Sequence, residues 1–94
     1  MKPNDKPAED PQARVRQLVA RYTDQGPAVL AGMNLAERLL LLSAKQLHLG
    51  LVAGRCEQGE GLHVNVPLKR LLERDVNEIG KSLQPRRLEL EMER

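Results

Sequence analysis

Apolar residues recur along this chain with two different periods, and the period predicts the element. Val15, Leu18, Val19 and Tyr22 fall at i, i+3, i+4 and i+7, one stripe of an amphipathic helix. Asp10-Pro11 supplies a cap and a residue pre-set for the first helical position. Gly26-Pro27 supplies the stop. A first helix is therefore predicted over 11–25. The segment PAVLAGM, residues 27–33, is an apolar connector or short turn. Asn34 followed by Glu37 has the form of a capping box and starts a second helix at Leu35, which is expected to run to Gly50 or Ala53.

On a helical wheel the second helix is unusual. Glu37, Arg38, Lys45 and His48 gather in one sector, and leucines and alanines cover most of the rest. Leu41 and Val52 fall inside the polar sector. An ordinary surface helix has an apolar stripe about 100° wide; this one is apolar on two or three sides and needs more cover than two other helices give. Leu35, Leu39, Leu41, Leu42 and Leu49 are the expected partner or oligomer contacts. Leu41, flanked by Glu37, Lys45 and His48, is the contact expected outside the intrachain core.

Residues 54–61, GRCEQGEG, carry three glycines and are expected to turn. Leu62, Val64 and Val66 alternate with His63 and Asn65, the period of a strand. Pro67 is expected to open a third helix with the stripe Leu68, Leu71, Leu72, Val76, Ile79 and Leu83, and Gln84-Pro85 to end it. Leu88, Leu90 and Met92 alternate with acids, a second strand. The predicted fold is mainly α with a minor β part: three helices and a short two-stranded element flanking the third, in the order α-α-β-α-β. Residues 1–10, polar and proline-bearing, are expected to be a disordered tail, and 11–94 a single helical domain.

Composition sharpens the class. There is no Phe or Trp and one Tyr, so Leu, Val and Ala must fill the interior, which favours helix-on-helix packing. Ten of the fifteen cations are Arg, and the richness in Arg, Leu and Ala is of a bacterial type. The N-terminus has no apolar run, the longest leucine-rich stretch is broken by charges, and a single cysteine permits no intrachain disulfide. The expected compartment is the cytoplasm, with no membrane span.

Candidate chemistry is thin. Cys56 and His63 are one thiol and one imidazole with nothing to mark an oxyanion site. Cys56, Glu57, Glu60 and His63 are enough donors for zinc but lack a C-x-x-C pair. The glycine-rich turn fits neither phosphate-binding pattern, and Glu89, Glu91 and Glu93 are neutralised by neighbouring arginines. No enzyme, cofactor or metal is expected. Ala44, Leu47 and Leu49 sit near helix-turn-helix spacings. Yet His48 stands where a turn glycine is usual, and only Arg55 and Gln58 follow to reach base edges, so that motif is rejected. Basic positions remain: Arg14, Arg16 and Arg21 on the first helix, Lys69, Arg70 and Arg74 on the third, and Arg86 and Arg87 near the end. The expected function is a protein–protein interaction module (an adaptor, chaperone-like or regulatory subunit) with a homo-oligomer or protein partner. The alternative is a dimeric nucleic-acid-binding regulator that holds phosphates with Arg14, Arg16, Arg21, Arg86 and Arg87. Net charge, only +2, decides neither way.

Overall fold

The computed structural model describes residues 10–83. Three α-helices follow in order, α1 (Pro11–Gln25), α2 (Leu35–Glu57) and α3 (Leu62–Lys81), with a 3₁₀ helix (Pro27–Gly32) between the first two.

α1 has the predicted ends. The Asp10 side chain accepts from the Gln12 N–H at 3.0 Å, and Gly26, at φ 82°, donates back to the Tyr22 carbonyl. That backbone conformation lies in the region where glycine is favoured. The connector 27–33 tightens into the 3₁₀ helix, which drives Val29 and Leu30 into the core. The capping box of α2 is complete. The Asn34 side chain accepts from the Glu37 N–H at 2.8 Å, and the Glu37 carboxylate accepts from the Asn34 N–H at 2.9 Å.

Two expectations are corrected. α2 does not stop at Gly50 or Ala53 but continues to Glu57, and the turn contracts to residues 58–61. Glycine in a helix interior costs only about 1 kcal/mol, less than the packing of α2 on α3 recovers. The predicted β element is absent among the described residues: Leu62–Val66 is the first part of α3, and Pro67 lies inside that helix. The alternation of Leu62, Val64 and Val66 imitates a strand, but these side chains are not the ones that turn inward. The inward residue is Asn65, buried, whose amide donates to the Glu60 carbonyl at 2.8 Å and closes the turn. Asn65, Leu72, Asp75 and Ile79 are the buried stripe of α3, a helical period hidden by two polar members. The expected second strand, Leu88–Met92, and the expected tail, except Asp10, lie outside the described residues.

α2 and α3 form an antiparallel pair, with α1 and the 3₁₀ helix packed against it. Leu18, Tyr22, Val29, Leu30, Met33, Leu41 and Ile79 form one core cluster, with Val19 and Leu42 packed on its edge; Val52 and Leu72 are also buried.

Candidate protein-interaction surface

The wheel of α2 is turned the opposite way from the usual one. Its charged sector faces the protein and much of its leucine sector faces water. Leu41, Lys45 and Val52 are the buried residues of α2, and Arg38 is half-buried beside them.

The inward charges are all engaged. Lys45 Nζ donates to Asp75 Oδ2 at 3.0 Å, with both side chains only 9% exposed. The same ammonium stands 5.3 Å from the centre of the Tyr22 ring, a cation–π contact. Arg38 spends its guanidinium on three carbonyls: Leu30 at 3.0 Å, Met33 at 3.1 Å and Ser82 at 2.7 Å. It thereby ties the ends of the 3₁₀ helix and of α3 to α2. Buried charges are tolerated only when paired and hydrogen-bonded, and these meet that condition. Burial pushes the Tyr22 phenol above its usual range, and the nearby carboxylates of Asp75 and Glu78 push it the same way against Arg74. At the start of α2, the hydrogen bond from the Asn34 backbone holds the Glu37 carboxyl below the usual range, with Arg14 and Arg21 adding to it.

Because the polar sector is spent inside, the leucines are left outside. Leu47 is 69% exposed, Leu51 57%, Leu39 48% and Leu40 39%, all on the outer side of α2. Leu35, near the N-terminus, is more than half exposed. Among the expected contact residues, Leu35 and Leu39 stand in solvent, and Leu42 and Leu49 are half-buried. Leu41 requires correction: it is 0% exposed at the centre of the intrachain core, so it cannot be an outside contact. It shares its sector with Lys45, which is buried with it, and Arg38, which is half-buried, while His48 on the edge of that sector stays exposed. Leu40, Leu47 and Leu51 also belong to the outer face, beyond the contacts expected from the sequence. The signal that finds them is the pair Leu41 and Val52 in the polar sector, which marks that sector as the inward one.

The basic residues of α1 are partly committed. Arg14 donates to Glu37 Oε2 at 2.7 Å, and Arg21 is close enough to the same carboxylate to influence it. Arg16 is exposed beside a shallow concavity with Pro11, Gln12 and Val15. Arg86 and Arg87 lie outside the described residues. α2 passes through residues 44–52 without a break, so no helix-turn-helix bend occurs there.

Other chemistry is sparse among the described residues. Cys56 is half-buried near the end of α2, and His48 and His63 are exposed on α2 and α3. No group of three or more His, Cys, Asp or Glu stands together to hold a metal ion among these residues. A cleft of about 170 Å³ lies beside Tyr22, Lys45, Leu71, Arg74 and Asp75, below the roughly 300 Å³ from which small-molecule sites usually start. None of the described helices is long and apolar enough to cross a membrane. Comparison with known protein families, with characterised proteins and with solved structures finds no match for this chain.

Proposed function

We propose that this protein is a helical interaction module, acting as an adaptor, chaperone-like or regulatory subunit, and that it works through the outer face of α2. One observation carries the reading: Leu39, Leu40, Leu47 and Leu51 are exposed along one helix while Lys45 and Arg38 of the same helix are spent inside. Scattered surface leucines need no explanation, but a contiguous apolar face marks a place where something else packs. Fully burying one leucine is worth about 1.5–3 kcal/mol. A partner that covers four half-exposed leucines gains on the order of several kcal/mol, enough to offset much of an association cost of about 4–15 kcal/mol.

The test is recovery of partner from a lysate with wild-type protein and with Leu47→Glu, each with and without nuclease. Leu47 is the most exposed of the leucines, and Glu is also a good helix former, so the fold is retained. Nuclease-resistant recovery of protein in fixed proportion, lost in Leu47→Glu, supports the reading. Recovery that depends on nucleic acid and ignores Leu47 sinks it.

A further inference from the structure

The outer face of α2 has an internal order. Ala36, Leu40, Ser43, Leu47, Gly50 and Gly54 follow at alternating steps of four and three residues, the spacing that keeps one seam on one side of a helix. The first five are exposed and Gly54 is half-buried. Arg38, Lys45 and Val52, on the opposite side of the wheel, are the ones that turn inward. The seam is therefore the strip of α2 directed away from the other described residues, and small and large side chains alternate along it as far as Gly50.

Gly50 and Gly54 have no use among the described residues. Neither has positive φ, and a β-carbon built at either would meet nothing within 4 Å. Glycine is the poorest helix former after proline, yet two stand in the interior of one helix. A backbone or side chain that approaches closely from outside is what a missing Cβ accommodates.

We infer that a second copy of this chain packs antiparallel along α2, about a two-fold axis at the level of residue 45. Leu40 of each copy then seats against the partner's Gly50, Leu47 against the partner's Ser43, and Ala36 against the partner's Gly54. The inference rests on the reading that the outer face of α2 is a protein-binding surface, and it names the occupant.

Three features select a second copy in this orientation. A two-fold interface needs one patch that carries both the projections and the recesses that receive them, and this seam carries both. Tight packing sets large residues opposite small ones. A parallel pair in register would set leucine on leucine and glycine on glycine. Charge agrees as well: antiparallel pairing opposes the helix dipoles and sets the exposed Arg55 of each copy beside the N-terminal end of the partner's α2, where Glu37 already holds Arg14 and adds no unpaired cation. Extent suffices too, since 36–54 spans about 27 Å at 1.5 Å per residue. With Leu39 and Leu51 alongside, two such faces bury on the order of the 1,000 Å² that a specific interface requires.

Sedimentation equilibrium of the whole chain, from about 1 to about 100 micromolar, is expected to show a dimer. A β-carbon at Gly50 meets nothing among the described residues within 4 Å, so Gly50→Leu should keep the helix content of wild type while weakening association at least tenfold. Orientation is read by cysteines in a Cys56→Ser background: Leu40→Cys protein mixed with Gly50→Cys protein should form a mixed disulfide faster than either protein forms one alone. A monomer throughout the range, or rapid self-linking of Leu40→Cys protein, overturns the inference. If the monomeric chain still retains a protein through Leu47, only the identity of the occupant is wrong; if it retains none, the interaction reading fails with it.

Discussion

Replacing Asp75 by Leu removes one member of the Lys45–Asp75 pair and leaves a 9%-exposed ammonium with the Tyr22 ring as its nearest favourable contact. At 3.0 Å and an effective dielectric near 20, the attraction amounts to about 5–6 kcal/mol before desolvation is counted. Taking both charges out of water offsets most of that, so the net value of the pair is small, but an orphaned partner is costly. Breaking a buried pair costs about 3–5 kcal/mol. For a domain of this size the whole stability is on the order of 5–10 kcal/mol, so Asp75→Leu alone comes close to unfolding it. The double variant Lys45→Met/Asp75→Leu replaces the pair with apolar groups of similar volume and should return to within about 1 kcal/mol of wild type, or exceed it. Urea unfolding followed by helical circular dichroism gives the midpoints and slopes of all four proteins in the cycle. A cost below about 1 kcal/mol for Asp75→Leu, with no coupling to Lys45, would refute the inward orientation of the charged sector of α2.

The Tyr22 hydroxyl is buried without a hydrogen-bond partner among the described residues. Tyr22→Phe should therefore be neutral or stabilising by up to about 1 kcal/mol at neutral pH. A phenol whose folded pKa is raised from 10.0 contributes stability that is intact below pH 10 and is lost as the pH rises through the folded value. Tyr22 is the only tyrosine, so tyrosinate absorbance against pH reports it alone; a midpoint at or below 10 would contradict the burial. Arg38→Met removes the donor to the Leu30, Met33 and Ser82 carbonyls and should cost about 1.5–3 kcal/mol in chemical unfolding, with Arg38→Lys regaining less than half, because an ammonium cannot reproduce the planar fork. Equal stability of Arg38→Lys and wild type would show that the fork is not used.

What the sequence disclosed, and what it concealed, separates along one physical line. Three helix ends are set by local chemistry that the chain states openly: Asp10-Pro11, Gly26-Pro27 and Asn34 with Glu37 each do what their spacing announces, whereas Gly50 does not end α2 and Pro67 does not start α3. The inward direction of a helix is set by tertiary pairing, and the usual guide, that apolar means inside, fails when the inside carries charge. Lys45 and Asp75 each look like solvent-facing residues, and only their pairing across α2 and α3 makes both buried. Asn65 misled in the same way. As the polar member of an apolar alternation it imitates one face of a strand, whereas it is the inward residue of the first turn of α3, its amide bonded to the Glu60 carbonyl. The width of the leucine surface was legible on the wheel, and Leu35 and Leu39 do face solvent. Its direction is not legible there, because Leu41 lies in the charged sector and yet is buried with it.

The claim on which the interaction surface depends is that α2 turns Leu41 inward and Leu47 outward. Chemical unfolding of Leu41→Ala and Leu47→Ala tests it directly, at protein concentrations low enough to separate any subunits. Leu41 is 0% exposed and Leu47 is 69% exposed. The account predicts a loss of about 2–5 kcal/mol for Leu41→Ala, the cost of a core cavity, and a change within about 0.5 kcal/mol for Leu47→Ala, as at a surface position. The reverse order, with Leu47→Ala costing kilocalories and Leu41→Ala little, would contradict it.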